Sequence, residues 1–598
     1  MSAKKREKKI GILDYIKIVY KYDKSSSLII LILKIVEAIV PTVITIALAK
    51  IIDELSIDYN KSIISTKLMI LLMIMFFSYI YINLVGYILN YFQEKLICSL
   101  RSGFKMVLIT KIASVDYDNI EDDNKWNLIS RVIREPEVKC KDGYMQLLNM
   151  LYLFLKSCGI LLLLAVNVFW LPIIIVMVAY PLVKISINSG KVSYIADCEA
   201  EKSIRRAEYL SNVLTSRDAS EERTMFGFLK KFNRMWAEQY EKARKIKFKA
   251  LIKWYKQTLL GGIVTTILLI FIIVILLFQT QNGALSIGVF IAVVNAVISL
   301  IPDISWTLPD CLKSITECRE YLKDVDNLAR IKGDLKYLYM PSKDNIIVDS
   351  IEFKNVIFKY PNSDRNILNN LNFKIEKGKH YAFVGINGAG KTTIIKLLLG
   401  LYSNYQGQIL INGRDLREFS SDEIKTMFSV VFQDYVKYET SLKDNIEMGN
   451  VRNCSIEKTM DAIYTVGLDK DIEKLKNGID TPLGKVLEGG QDLSGGQWQK
   501  VAMARALIND ATVRILDEPT AALDPINESR LYDNYKKISE GVTTIFISHR
   551  LASTRLADKI FVLKDGKVIE EGKFDELMSL EGEYANMFES QRAWYIYE

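Results

Sequence analysis

A glycine-rich stretch between residues 385 and 392 has the composition to bind phosphate groups. It reads Gly-Ile-Asn-Gly-Ala-Gly-Lys-Thr, directly follows the apolar run Tyr381–Val384 and precedes the helix-forming run Thr393–Leu399. Glycines let successive backbone N–H groups turn towards one anion, and the N-terminus of the following helix adds positive potential. In this context the pattern predicts a P-loop, in which Lys391 reaches the β- and γ-phosphates and Thr392 holds Mg²⁺. Alone, the stretch predicts only a nucleotide-binding domain.

Further short motifs follow the P-loop and indicate which kind of nucleotide-binding domain contains it. In chain order they are Leu493-Ser-Gly-Gly-Gln497, Val513-Arg-Ile-Leu-Asp517-Glu518, Ala522-Leu523-Asp524 and Ile547-Ser-His549. In order and spacing they resemble the signature motif, Walker B motif, D-loop and switch histidine of the ABC transporter superfamily. Gln433 in VVFQD and Tyr360 in FKYP match the Q-loop glutamine and the adenine-stacking aromatic residue of that family.

The resemblance implies a role for each matching residue. Glu518 would polarise the attacking water, and His549 would contact the γ-phosphate and Glu518, which makes these two the catalytic candidates. Asp517 would hold Mg²⁺ through its water shell, together with Thr392 and Gln433. The residues expected to bind ATP in the same chain are Tyr360, Gly385, Asn387, Gly388, Ala389, Gly390, Lys391, Thr392, Thr393, Gln433 and Asp517. Those expected to contact ATP bound to a partner are Ser494, Gly495, Gly496, Gln497 and Asp524.

The chain contains one P-loop and one signature motif. In the family, the signature motif closes over ATP on the P-loop of an opposing cassette, so one chain cannot complete a site. Because the motifs are intact, a homodimer would have two competent sites that use ATP and Mg²⁺. A heterodimer with a related chain stays an open alternative.

The first half of the chain contains six apolar segments of the length that spans a bilayer, which is about 20 residues. They are Leu28–Ile52, Leu68–Tyr91, Leu147–Asn167, Leu171–Ile187, Thr258–Phe278 and Leu285–Ile301. From Ile346 onwards, short β-rich runs alternate with helical ones, which favours an α/β nucleotide-binding core. The sequence therefore predicts an all-α transmembrane domain with long cytoplasmic helical extensions (1–329), a linker (330–345) and a P-loop cassette (346–598).

The distribution of charge predicts the orientation of these spans. Residues 92–146 and 188–257 form long loops rich in Lys and Arg, which positive-inside logic assigns to the cytoplasm together with both termini. The same bias explains the net charge of +8, and no basic stripe with interleaved aromatic residues points to nucleic acid. Seven cysteines without zinc-site spacing fit a reducing cytoplasm. We expect a multi-pass protein of a bacterial-type cytoplasmic membrane.

Two short charged segments lie at the far ends of these loops, at Tyr117–Asp123 and Thr215–Glu222. By resemblance they are the coupling helices through which ATP hydrolysis moves the membrane domain. Taken alone, either segment would be a solvated charged turn.

Ionisable residues within or beside the spans are candidates for cargo contacts, because a charge in the bilayer is costly. Glu37 and Asp303 would suit a cationic cargo, although a cavity-facing Lys156 would count against this. The alternative for Glu37 is an ion pair with Lys34, one helical turn away. Lys184, near an inner end, is expected to extend to the membrane surface.

Two positions depart from the common family pattern. Arg514 interrupts the apolar strand before Asp517, and we expect it to lie along the strand with its head at the edge and to have a structural effect. Trp498 follows the signature motif, and with the sequences around residues 433 and 485 it resembles the subgroup that exports lantibiotic-like peptides. No peptidase domain precedes the first span, so no leader cleavage is expected.

The predicted function is ATP-driven export of a substrate, with a peptide favoured and lipid or multidrug export as alternatives. An ATP-gated channel or sensor is an alternative of another class. An importer is disfavoured, because importers normally carry the cassette and the membrane domain on separate chains.

Overall fold

The computed structural model divides the chain into two compact units. One comprises residues 1–113 and 123–331, and the other comprises 114–122 and 332–598. The described residues are 11–57, 66–167, 169, 171–217, 219–283, 285–333, 345–361, 363–518, 541–547 and 551–596. The short segment 114–122 therefore belongs to the second unit although its chain neighbours belong to the first.

The first unit is helical. Its helices are α1 (Asp14–Tyr22), α2 (Lys24–Ile57), α3 (Thr66–Leu100), α4 (Met106–Ala113), α6 (Asp123–Ile133), α7 (Pro136–Asn167), α8 (Leu171–Thr215), α9 (Ser220–Phe226), α10 (Leu229–Gln281), α11 (Ile287–Pro302) and α12 (Leu308–Arg330). Helix α5 (Tyr117–Ile120) lies in the second unit. Two π-helical segments, Arg101–Lys105 and Asp303–Thr307, connect α3 to α4 and α11 to α12.

Among the described residues of the first unit, six helical segments are long and apolar enough to cross a membrane. They are Lys24–Leu55, Thr66–Ala113, Pro136–Val166, Leu171–Thr215, Leu229–Gln281 and Ile287–Arg330. Helices α8 and α10 contain 45 and 53 residues. At about 1.5 Å per residue they are about 68 Å and about 80 Å long, so each is more than twice the thickness of a hydrocarbon core of about 30 Å. The predicted six-helix domain with long helical extensions is confirmed.

The second unit is built on two sheets. The strands are β1 (Ser350–Phe358), β2 (Leu368–Glu376), β3 (His380–Gly385), β4 (Gln406–Ile411), β5 (Arg414–Asp415), β6 (Phe428–Val431), β7 (Val513–Asp517), β8 (Thr543–Ile547), β9 (Lys559–Lys564) and β10 (Lys567–Gly572). One sheet has the order β2-β1-β4-β5 and the other the order β10-β9-β3-β8-β7-β6. The inner strands of the larger sheet pair in parallel, for example Ala382 with Phe546 and Leu516 with Phe546.

Helices cover this larger sheet. They are α13 (Lys391–Leu398), α14 (Ser421–Met427), α15 (Leu442–Glu447), α16 (Ile456–Val466), α17 (Asp469–Ile472), α18 (Gly495–Leu507), α19 (Phe574–Ser579) and α20 (Glu583–Ile596). The central strands β7 and β8 are buried along their whole length, as parallel strands covered on both faces must be. The carboxyl ends of β3 and β7 lie at the same edge of the sheet, where ligands of such sheets bind. The predicted α/β cassette is confirmed.

Candidate nucleotide site

The P-loop joins the end of β3 to the start of α13, as the sequence predicts. Gly385, Gly388 and Gly390 have φ angles of 151°, 83° and 105°, which side chains with a Cβ rarely adopt. At Gly385 a Cβ would also lie 2.3 Å from the carbonyl oxygen of Leu563. These positions therefore require glycine, and the backbone they allow forms the concave loop that phosphate binding needs.

Lys391 lies within this loop. Its Nζ donates hydrogen bonds to the carbonyl oxygens of Gly385 at 2.8 Å and Ile386 at 3.2 Å. Burial lowers the pKa of Lys391, whereas the nearby carboxylates of Glu518 and Asp517 oppose that shift. The ammonium group is thus held at the mouth of the loop, between the phosphate cradle and two acidic side chains.

Asp517, the last residue of β7, is 1 % exposed. Burial raises its pKa to about 6, and a hydrogen bond from Thr392 and the charge of Lys391 act in the opposite direction. Its Oδ1 is buried and has no hydrogen-bond partner among the described residues. A buried carboxylate oxygen beside a threonine hydroxyl is a donor set that suits a hard cation such as Mg²⁺. The residues present therefore fit the cofactor that the sequence predicts.

Glu518 adopts a left-handed conformation with φ of 52° at the end of the same strand. Its backbone N–H donates to the carbonyl oxygen of Ile547 at 3.0 Å, which ties it to β8. Its Oε2 accepts a hydrogen bond of 3.0 Å from Nε2 of Gln433. A left-handed residue other than glycine at such an edge stores strain of the kind that clusters at functional sites. The structure thus brings the predicted catalytic carboxylate and the predicted Q-loop glutamine together.

The signature motif forms the N-terminus of α18. The hydroxyl of Ser494 accepts from the N–H of Gln497 at 3.3 Å, and Oε1 of Gln497 accepts from the N–H of Ser494 at 2.8 Å. This reciprocal capping box leaves the small residues Gly495 and Gly496 at the helix start. The predicted second phosphate cradle therefore has a helix N-terminus, where an anion is stabilised.

Tyr360 lies just after β1. Its hydroxyl shares a hydrogen bond of 2.9 Å with the hydroxyl of Thr393 in the first turn of α13. The predicted adenine-stacking residue is therefore attached to the helix that begins at the P-loop.

The remaining predicted site residues lie elsewhere. His549 and Asp524 fall outside the described residues. In the membrane unit, Asp303 forms an ion pair of 2.6 Å with Lys156, and Glu37 forms one of 3.0 Å with Lys34. Each candidate cargo-binding carboxylate is thus paired with a lysine, which is the alternative that the sequence left open for Glu37.

The two departures from the family pattern are both buried. Arg514 is 6 % exposed and lies between Ser429 and Thr544 of the neighbouring strands, so its side chain is enclosed rather than extended to open solvent. Trp498 is 1 % exposed, and its indole N–H donates to Asp492 at 3.1 Å.

Gln499 is not among the residues that the sequence motifs single out, and the structure places it beside Glu518. Its side-chain amide donates to the carbonyl oxygen of Glu518 at 3.3 Å, and Gln499 is 3 % exposed. Gln499 stands two residues after the signature motif, but its burial, and with it the need of its amide for a partner, is visible only in the structure.

Comparisons with known proteins agree with this geometry. A family model described as ABC transporter matches residues 368–521. The chain is 29 % identical to the subtilin transport ATP-binding protein of Bacillus subtilis, over 96 % of this chain and 93 % of that protein. It is 27 % identical to the nisin transport ATP-binding protein of Lactococcus lactis subsp. lactis, over 96 % of this chain and 95 % of that protein.

Two further similarities cover different parts of the chain. An ATP-dependent lipid A-core flippase of Methylobacillus flagellatus is 38 % identical, but only over 40 % of this chain and 41 % of that protein. The structure of a bacterial Atm1-family ABC exporter with ATP bound has a TM-score of 0.74 and 21 % identity, and the match covers 93 % of this chain and 97 % of that one. This last likeness shows a shared exporter fold. Residues 368–521 therefore form a cassette of the ABC transporter family, and the whole chain is similar to ABC exporters in which an ATPase cassette is fused to a membrane domain.

Proposed function

We propose that this exporter moves a peptide from the cytoplasm across a bacterial cytoplasmic membrane, as a homodimer that alternates between inward and outward access. The observation that carries the peptide assignment is similarity along the whole chain to the subtilin and nisin transport proteins. The lipid A-core flippase has a higher sequence identity to this chain, 38 %, but the match covers only 40 % of this chain. It therefore supports lipid export less strongly.

The proposed chemistry at the cassette is hydrolysis of ATP by an activated water. The P-loop N–H groups and Lys391 bind the phosphates, and Asp517 with Thr392 would hold Mg²⁺. When bound, the cation neutralises charge that develops on the phosphate oxygens. Glu518 orients and polarises the water, and Gln433 holds the Glu518 carboxylate in place through their hydrogen bond of 3.0 Å.

The proposed dimer rests on the resemblance to the family, in which the signature motif closes over ATP bound to the P-loop of an opposing cassette. Ser494 and its following glycines begin α18, whereas Lys391 begins α13. Two chains arranged head to tail would each offer a signature motif to the ATP on the other chain's P-loop. A heterodimer with a related chain would satisfy the same requirement.

A groove on the cassette supports docking of a helix from the second copy. It has a volume of about 1300 Å³ and is lined by apolar side chains such as Met448 and Val451 and by the cationic Lys425 and Arg452. Helix α9 carries Glu221 and Glu222 in its first turn and ends with Met225 and Phe226, which are 81 % and 71 % exposed. Helix α9 overlaps the second predicted coupling segment, Thr215–Glu222, in residues 220–222. Its acidic first turn would complement Lys425 and Arg452, which lie in the groove together with Asp434 and Asp510, and its apolar end would complement the apolar lining.

Uptake into inside-out vesicles tests the proposal. Vesicles that contain the wild-type chain should accumulate a peptide only with ATP and Mg²⁺, and vesicles that contain Glu518→Gln should not. A panel of peptides, lipids and dyes identifies the cargo class. Accumulation of lipid or dye in place of peptide would overturn the peptide assignment. An ATP-gated ion current without accumulation would indicate the channel class.

A further inference from the structure

Five side chains of the second unit form a cluster that joins the first predicted coupling segment to Tyr360, the predicted adenine-stacking residue. We call it the tyrosine–lysine cluster. Its members are Tyr117 and Glu121 from segment 114–122, Tyr360 after β1, Lys396 on α13 and Tyr402 just after α13. The nucleotide chemistry described above uses only Tyr360 among them.

Lys396 occupies the centre of the cluster. Its Nζ lies 3.6 Å from Oε1 of Glu121, 5.5 Å from the ring centroid of Tyr117 and 5.4 Å from that of Tyr360. Burial alone would lower the pKa of Lys396, but Tyr360, Tyr117 and Glu121 together raise it. The ammonium group therefore stays charged and attracts the segment and Tyr360 at once, through an ion pair and two cation–π contacts.

Tyr402 makes a second connection between the same groups. It is 1 % exposed, and its hydroxyl donates a hydrogen bond to Oε2 of Glu121. Its ring meets the rings of Tyr117 and Tyr360 edge-on, each with a centroid distance of 5.5 Å. Edge-to-face contacts of this kind depend on geometry, so a shift of Tyr117 is expected to be felt at Tyr360.

Tyr360 is held at its other end by the P-loop helix. Its hydroxyl is hydrogen-bonded to Thr393, three residues before Lys396 on the same helix. Residues three apart on a helix lie on one face. Thr393 therefore holds the hydroxyl end of the Tyr360 ring. Lys396 over the face of the ring and Tyr402 at edge-on contact fix its orientation.

The coupling segment itself is attached to the chain that leaves the last membrane helix. Val115 bridges to Gly333, and the carbonyl oxygen of Lys332 accepts from the N–H of Asp116 at 3.3 Å and from Nδ2 of Asn119 at 3.2 Å. A Cβ on Gly333 would lie 2.3 Å from the carbonyl oxygen of Ser114. The position of the segment therefore follows that of the connector between the membrane domain and the cassette.

We propose that Lys396 and Tyr402 are positioning residues that make the orientation of Tyr360, and with it the affinity for the adenine end of ATP, depend on the docking of segment 114–122. The inference takes its ligand, ATP, from the proposed function. Its mechanism rests on the contacts within the tyrosine–lysine cluster. The segment would then report the state of the membrane domain to the base of the nucleotide, separately from any effect on Glu518.

The test measures nucleotide binding to the full-length chain in lipid nanodiscs, with Glu518→Gln as the background so that nothing is hydrolysed. The variants are Lys396→Gln, Glu121→Gln and Tyr402→Phe. The control is Lys379→Gln, which removes a lysine from a surface ion pair of 2.7 Å with Glu376 on the same cassette. Competition with inorganic triphosphate measures the phosphate contribution without the base.

Each cluster variant should weaken ATP binding about threefold to tenfold, the range expected for losing one or two contacts of this strength. Binding of inorganic triphosphate should not change, and Lys396→Arg should restore most of the loss. Glu121→Gln should add little to Lys396→Gln, because the two residues act through one contact. Lys379→Gln should bind like the background.

Several outcomes would overturn the proposal. Unchanged ATP affinity in all three variants would show that the cluster only attaches segment 114–122 to the cassette. Equal losses of affinity for ATP and for inorganic triphosphate would assign the effect to the P-loop. Thermal unfolding of Tyr402→Phe, which keeps the ring, separates a folding defect from a binding defect. Nucleotide binding does not require transport. Failure of the export proposal would therefore appear in the vesicle uptake experiment and would leave the binding result unchanged.

Discussion

The side-chain amide of Gln433 donates a 3.0 Å hydrogen bond to the carboxylate of Glu518. Gln433 follows β6, and Glu518 follows β7, its parallel neighbour in the sheet. The pair shows that two motifs 85 residues apart in sequence meet at one edge of the sheet.

Replacing Glu518 by Gln should separate ATP binding from hydrolysis. The amide keeps the shape of the side chain but cannot polarise water, and loss of a general base typically costs at least about 100-fold. Phosphate release should fall by that factor while ATP affinity is retained. Glu571→Gln, at an exposed ion pair with Lys559, is the matched control and should hydrolyse ATP at the wild-type rate. Wild-type hydrolysis by Glu518→Gln would refute the catalytic assignment.

Binding of Mg²⁺ should depend on pH through Asp517, whose pKa burial raises to about 6. A carboxyl group must lose its proton before it binds a cation. Above pH 6 the apparent Mg²⁺ affinity should be constant, and below pH 6 it should fall by up to about tenfold per pH unit. The measurement is Mg²⁺-dependent binding of ATP at pH 5 to 8. Asp517→Asn should abolish this dependence, and a flat wild-type profile would contradict the prediction.

Trp498→Phe should destabilise the cassette without removing a catalytic group. The change keeps a buried aromatic ring but leaves Asp492 without the indole N–H that it now accepts at 3.1 Å. We expect a loss of about 1 kcal/mol in unfolding free energy, against about 3–5 kcal/mol for Trp498→Ala. Calorimetry checks both values, with Trp126→Phe as a control at an exposed tryptophan. Equal losses for Phe and Ala would mean that packing contributes little at this position.

Exchanging the charges of Lys156 and Asp303 should restore part of the ATP-dependent uptake that either single substitution removes. The pair joins α7 to the π-helical segment after α11 at 2.6 Å, and both side chains are mostly buried. Removing one partner leaves an uncompensated charge, which is strongly unfavourable in a low-dielectric region. Lys156→Gln and Asp303→Asn should each lower ATP-dependent uptake, and the double variant Lys156→Asp/Asp303→Lys should recover part of it.

A different pattern would support the cargo role that the sequence suggests for Asp303. In that case Asp303→Asn would abolish cargo stimulation of the ATPase, and Lys156→Gln would not. Lys184→Gln, at an exposed lysine of α8, controls for the loss of a positive charge within the spans.

Much of the candidate site could be predicted because its residues lie in contiguous motifs. The P-loop glycines, Asp517, Glu518 and Ser494 each follow a strand or begin a helix, and local sequence specifies both the element and the end at which the residue stands. The six spans could be predicted for a similar reason, since about 20 apolar residues in a row leave few alternatives in a bilayer.

Contacts between residues distant in sequence could not be predicted. Gln499 reaches the carbonyl oxygen of Glu518, and Lys396 lies between Glu121 and Tyr360, although nothing local marks either residue as functional. The sequence singles out Asp303, but its pairing with Lys156 could not be predicted, because it depends on how two membrane helices pack.

The sequence by itself determined the chemistry of this exporter, because phosphate binding and membrane crossing depend on short patterns that act locally. Only the tertiary structure decided which of these groups touch. In the membrane unit, helix packing pairs Asp303 with Lys156, whereas Glu37 pairs with Lys34 on its own helix. In the second unit, folding brings Tyr117 of segment 114–122 into contact with Tyr402, which also contacts Tyr360, more than 200 residues from the segment along the chain.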